Sequence, residues 1–337
     1  TLEQGRGYLY AMQTGGNITF NGVINNSNVE YELSAKGEKL TGFNLIGNPF
    51  TFNIGKGTNQ AIPNTYLETG YYTLSPANGT WSVALDTRPI GVGEAILVET
   101  LNDKTYHNKY LTISKTPFTA QSNTRGASEE TESLSIKVAN VDYEDIAYVN
   151  FNNKERGLRK IAHMNEDAQM VYVPVDGVNY AIANMSTDVQ EIPVSLEAYT
   201  MGKYTISIDA SDCNFEEIYL RDNFTGEIVD IINGDYTFVT TSSDEAERFT
   251  LMIINNNDDN SDIINQNFAY ISNGEIIIND IEGSGNVQIF DVMGRMLVTR
   301  DVNGSANIST ETLTNGIYII SLIDDNGIKT QKIAINK

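Results

Sequence analysis

Val287-Gln288-Ile289-Phe290-Asp291-Val292-Met293-Gly294-Arg295-Met296-Leu297 reads as a strand, a turn and a second strand. Gly294 supplies the permissive backbone that the turn needs. Outward from this stretch the same grammar repeats. Downstream come Leu313-Thr314-Asn315-Gly316-Ile317-Tyr318-Ile319-Ile320, a hairpin signal at Asn326-Gly327, and Lys329–Ile335. Upstream, short runs rich in Ile, Val, Tyr and Thr recur at Asn17–Val23, Gly42–Ile46, Ala95–Glu99, Leu134–Val138, Tyr204–Ile208 and Phe249–Ile254. Asn-Gly pairs, at Asn21, Asn78, Asn233, Asn273, Asn303, Asn315 and Asn326, punctuate the chain, and several should form tight hairpin turns. No long stretch shows a 3.6-residue period. The expectation is an all-β chain of tandem β-sandwich domains, immunoglobulin-like or jelly-roll-like.

Two polar segments, Ala120–Glu132 and Asn255–Asp262, divide the 337 residues into 1–122, 128–256 and 263–337. The formal charge of −22 is uneven. Residues 1–125 carry nine basic and nine acidic side chains, residues 126–257 carry eight against 24, and residues 258–337 carry five against 11. The acidic excess excludes nucleic acid and anionic membrane as partners of the middle and last pieces, because both demand a basic footprint. No apolar run reaches the roughly 18 residues of a membrane helix, so membrane insertion by a helix is not expected. The opening Thr1-Leu2-Glu3-Gln4-Gly5 has no leader pattern, and it is read as the interior of a longer protein.

Chemistry is hard to find. Cys213 has no intramolecular partner, and no Gly-x-Ser-x-Gly elbow occurs. A Cys213–His163 dyad is conceivable, but a small buried thiol is the plainer reading. Two histidines, His107 and His163, and a single cysteine leave no zinc ligand set. Calcium is the one cation that the abundance of oxygen ligands would suit. Asp258-Asp259-Asn260-Ser261-Asp262 nevertheless fails as an EF-hand loop, because Ile263 stands where glycine is needed and Ala269 where the last Glu belongs. Asp142-Tyr143-Glu144-Asp145 and Glu216-Glu217 with Asp222 could converge on a cation, or simply form a solvated acidic face. No cofactor and no catalytic residue is assigned. Tyr66, Tyr71, Tyr72 and Trp81 cluster among Asn and Thr, as in carbohydrate-binding sandwiches that present aromatic rings to a sugar. The competing reading is core and cross-strand packing. Tyr71, Tyr72 and Trp81 form the candidate ligand platform, with Trp81 set beside a turn by Asn78-Gly79-Thr80.

The last 75 residues resemble the type A C-terminal sorting domain of the Bacteroidetes type IX secretion system. That family shows a strand-Asp-x-x-Gly-Arg-strand element, a Gly-(Ile/Val)-Tyr strand and a final strand containing Lys-Ile. Asp291, Gly294, Arg295, Gly316, Tyr318 and Lys332 match it in order. The Pro-Asn-Pro opening common in the family is replaced by Phe268-Ala269-Tyr270-Ile271-Ser272-Asn273-Gly274. The resemblance implies a small β-sandwich that the secretion machinery reads as a folded surface, and that is commonly cleaved once export is complete. Tyr219–Gly226, Tyr236-Thr237-Phe238 and Glu247–Leu251 resemble the β-sandwich that often precedes such domains in surface proteins. Together these resemblances imply a non-catalytic chain on the cell surface or outside the cell. Its upstream domains would serve as structural or adhesive modules, with a glycan or a host or surface protein as ligand. The alternative is a carbohydrate-binding region of a larger polysaccharide-processing protein.

Overall fold

The computed structural model describes residues 2–335 apart from 12–15, 18, 20, 36–39, 102–104, 121–131, 153, 155, 216, 241–246, 255–267, 273, 279–282 and 325–326. Most of both polar segments, the Asp258–Asp262 run, Glu216, and the asparagines of the turns at 273 and 326 thus lie outside the described residues. Among the described residues there is no helix, and the protein is all-β. Two compact units emerge, and neither is continuous in sequence. The first comprises Thr1–Thr131, Asn152–Glu166 and Val175–Met185; the second comprises Glu132–Phe151, Asp167–Pro174 and Ser186–Lys337.

In the first unit, β1 (Val29–Glu32), β2 (Phe43–Gly47), β3 (Tyr71–Ser75), β4 (Thr80–Ala84), β5 (Ala95–Glu99) and β6 (Tyr110–Ile113) form two sheets. One has the order β2-β5-β3-β4, and the other pairs β1 with β6. Ile96-Leu97-Val98 makes β5 apolar on both faces, so it takes an interior place between β2 and β3. Ile46, Ile54, Ile62, Leu67, Tyr71, Ile96, Val98 and Ile113 close the core. A fully buried cation sits beside it. Lys56 Nζ donates to Asn64 Oδ1 at 2.6 Å, to the Glu68 carbonyl at 2.7 Å and to Asp86 Oδ1 at 3.0 Å. All three ammonium protons therefore have acceptors. The strand expected at Asn17–Val23 is absent from its described residues. Its side chains there are exposed, with no ladder and no core to reward the alternation.

The middle of the chain supplies β7 (Glu132–Ala139), β8 (Glu144–Phe151), β9 (Leu158–Arg159), β10 (Met170–Val175), β11 (Val178–Met185), β12 (Glu191–Glu197), β13 (Gly202–Asp209), β14 (Glu217–Asp222), β15 (Glu227–Asp230), β16 (Tyr236–Thr240) and β17 (Phe249–Ile254). Strands β9 and β11 belong to the first unit, where they pair with each other. Gly157 makes that pairing tight, since a Cβ there would collide with the Ile182 carbonyl. In the second unit, β16-β13-β7-β8 is one antiparallel run and β15-β14-β17-β12-β10 another. Leu134, Ile136 and Val138 alternate into the interior along β7, as a period of two requires.

The end of the second unit holds β18 (Ala269–Ser272), β19 (Glu275–Ile278), β20 (Ser284–Asp291), β21 (Met296–Asn303), β22 (Ala306–Ser309), β23 (Gly316–Asp324) and β24 (Gly327–Ile335). They build a three-stranded sheet, β18-β19-β22, and a four-stranded sheet, β21-β20-β23-β24. Ile276, Ile278, Val287, Ile289, Ile320, Leu322 and Ile333 from both sheets share one core with Phe268, the residue before β18.

Candidate functional site

The opening stretch folds into a hairpin whose tip is organised by one carboxylate. Asp291 Oδ1 accepts the backbone N–H groups of Met293 and Arg295, both at 2.9 Å, and Oδ2 accepts Arg295 Nε at 2.6 Å. The Gly294 N–H donates to the Asp291 carbonyl at 2.9 Å, and the Asp291 N–H donates to the Arg295 carbonyl at 3.0 Å. Gly294 sits at φ +79° with open space around it, so its lack of a side chain serves the backbone conformation and not a close approach. The Arg295 N–H, then its guanidinium, hold the Asp291 carboxyl below its ordinary value. A register shift between Ile289 and Phe290 accompanies the turn.

Sheet topology then gathers the separated motifs. Asp291 on β20 lies opposite Tyr318 on β23, and Tyr318 lies opposite Ile333 on β24. One rung further, Phe290 faces Ile319 and Ile319 faces Lys332. Gly316 begins β23 opposite Ile335. Tyr318 is buried, and its hydroxyl donates to the Thr314 carbonyl at 2.8 Å, tying the loop before β23 to the strand. Asp291, Arg295, Gly316, Tyr318 and Lys332 thus share one end of one sheet. Reasoning from motifs alone misses the apolar rim there: Val292, Met293, Met296, Leu297, Ile317 and Ile319 are exposed. The signal for it is Ile317-Tyr318-Ile319-Ile320, which is apolar on both faces of a strand with only one core to fill.

The other candidates go elsewhere. Tyr71 and Tyr72 are 0% exposed and Trp81 is 7% exposed, so these rings offer no aromatic surface. Tyr71 Oη donates to the Arg88 carbonyl at 3.0 Å and Tyr72 Oη to the Arg159 carbonyl at 2.8 Å. Trp81 packs edge-on against Tyr72, and its backbone N–H donates to His163 Nδ1 at 2.9 Å. His107 is used the same way, with Nδ1 accepting the Ala35 N–H at 2.9 Å. The Cys213 thiol is pushed up to about 12 by burial and by Glu132, Asp212 and Asp209, the opposite of what a nucleophile needs. Asp145 Oδ2 accepts the Val171 N–H at 2.7 Å, and Asp222 is paired with Arg248 Nη2 at 2.8 Å, so neither is free to serve a cation. Among the described residues no three His, Cys, Asp or Glu side chains are placed to hold a metal.

Two family models match the chain. Residues 262–336 match the secretion system C-terminal sorting domain, the region in which Asp291, Tyr318 and Lys332 come together. Residues 60–253 match a family described as a domain of unknown function, DUF8693. The chain belongs to the DUF8693 family. No curated protein and no solved structure matches it. The sorting domain is the type IX kind, so this DUF8693 chain is exported to the cell surface or the extracellular space and engages the type IX secretion machinery. The DUF8693 region spans strands of both compact units, from the loop before β3 to β17.

Proposed function

We propose that the chain is a non-catalytic, exported surface or secreted protein. Its final sandwich-like module, residues 263–337, is the signal, and the DUF8693 region is the structural or adhesive cargo. The observation that carries this reading is the convergence of Asp291, Arg295, Tyr318 and Lys332 at one sheet end, ringed by exposed Met293, Met296, Ile317 and Ile319. Exposed apolar residues beside fixed charges are the chemistry of a protein-docking surface. Asp291, Gly294 and Tyr318 shape that surface, while Arg295, Lys332 and the apolar rim supply its contacts.

The test is a reporter fused to residues 263–337 in a type IX-competent host. Export of the fusion is expected. A variant carrying Met293→Asp and Met296→Asp should fold but stay in the periplasm. Both side chains point to solvent, so their replacement leaves the core intact. A wild-type fusion that stays inside the cell refutes the targeting reading, and an exported double variant refutes the assignment of the rim.

A further inference from the structure

Alternation along β14 and β17 gives their sheet two distinct faces. Ile218, Leu220, Leu251 and Ile253 point one way and are buried. Tyr219 and Met252, directly opposite one another in the ladder, point the other way. An antiparallel sheet with one face on a core commonly leaves the second face wet. Here the second face is dry: Tyr219 is 8%, Ile228 6% and Met252 5% exposed. These residues form a small apolar cluster separate from the core of the sorting domain, joined by the partly buried Ile254 and Tyr270. Tyr270 comes from β18, at the edge of the three-stranded sheet of the sorting domain. Its ring stands edge-to-face on Tyr219, with centroids 5.7 Å apart and planes at 73°, the geometry in which two aromatic quadrupoles attract. Tyr219 keeps its polar tip satisfied by donating to Glu217 Oε2 at 3.1 Å. Arg221 lies across the rim, with Nη1 3.2 Å from Glu191 Oε1 and 3.8 Å from Met252 Sδ. The cluster therefore has an apolar centre and a charged border, the anatomy of a protein–protein interface.

We propose that the sorting domain is docked on the DUF8693 region as a non-covalent partner. When the connecting polar segment is cut, residues 268–335 remain bound through Tyr270 on Tyr219, Ile228, Met252 and Ile254. Retention of the tail after scission does not depend on export, so a failed reporter assay and a failed docking assay are separate results.

The experiment uses the full chain with a seven-residue protease site inserted after Asn257. Complete scission is read on a denaturing gel, and the cut protein is then passed over a size-exclusion column at micromolar concentration. Both pieces are expected in one peak. Tyr270→Asp and, from the opposite partner, Tyr219→Asp should each remove the tail piece from that peak, whereas Tyr270→Phe, which keeps the ring, should retain it. Uncut variants are checked by circular dichroism, so that release from a folded variant is told apart from unfolding. The proposal is overturned if the cut wild-type pieces elute separately, or if both Asp variants remain folded and still co-elute.

Discussion

Glu227→Gln should remove a pH-dependent weakness built into the second unit. The side chain lies in a closed network. Asp222 Oδ2 accepts Arg248 Nη2 at 2.8 Å, and Asp222 Oδ1 accepts the Phe224 N–H at 3.0 Å. The Arg248 guanidinium lies over the rings of Phe238, Phe249 and Phe224, at 4.6, 5.3 and 5.5 Å from their centroids. Tyr236 Oη is 3.0 Å from Asp222 Oδ2 and 3.1 Å from Glu227 Oε2. A phenol has one proton, so it cannot donate to two carboxylates. Asp222, paired with Arg248, is the anion that receives it, and Glu227 must then keep its own proton and donate to Tyr236. Burial, reinforced by the Asp222 charge, pushes the Glu227 carboxyl from an ordinary 4.5 up to about 8. A carboxyl raised on folding costs nothing below pH 4.5, where both states are protonated. Above that the unfolded chain ionises first, and stability falls by ~1.36 kcal/mol per pH unit until Glu227 ionises near pH 8, about 5 kcal/mol in all. Gln is neutral throughout, and its amide can donate to the same phenol oxygen. Urea unfolding from pH 4.5 to 8.5 should therefore show a stability that falls less steeply in Glu227→Gln than in the wild type, with the variant the more stable at pH 8.5, while buried Glu68, also raised to about 8, keeps its own share of the slope in both. A carboxyl carbon resonance for Glu227 that titrates below pH 6, or equal slopes in the two proteins, would refute the proton assignment.

Two other substitutions test the parts from which the reading is built. Arg159 donates its Nε and its backbone N–H to the buried carboxylate of Glu99, and its Nη2 to the Thr41 carbonyl at 2.5 Å. Arg159→Ala strands Glu99 and should cost the first unit about 3–5 kcal/mol, seen as an earlier transition in Trp81 fluorescence, with the double variant Arg159→Met, Glu99→Leu recovering most of it. Gly294→Ala meets no atom but must adopt φ +79°, so it should cost about 1–2 kcal/mol, read as a drop of several degrees in the Tm of the sorting domain.

Much of the strand content can be read from residues alone. Ala95–Glu99 and Phe249–Ile254 coincide with β5 and β17, and the runs at 134–138, 204–208 and 329–335 and the apolar residues 316–320 fall inside observed strands. These runs pair period-two or continuous apolarity with β-branched side chains, so burial and propensity agree. Asn17–Val23 has the same local pattern, yet its described residues form no strand, because a ladder needs a partner that a segment cannot declare. The aromatic group shows the same limit. Beside Asn78-Gly79, Trp81 reads either as a platform ring or as a packing residue, and Arg159 and His163, some 80 residues later in the chain, supply the groups that bond Tyr72 and Trp81 and leave the packing reading.

The motif residues of the tail were legible because short spacing carries them: Asp291, Gly294 and Arg295 are a turn whose hydrogen bonds span at most four residues. By itself the sequence determined the all-β class and the sorting signature, since both depend on local backbone preference and on the identity of adjacent side chains. Tertiary structure alone decided which faces are dry. Non-local pairing buries Tyr71, Tyr72 and Trp81, closes Glu227 against Tyr236, and sets Tyr270 on Tyr219. Burial depends on what folds back over a side chain, and no window of neighbouring residues contains that information.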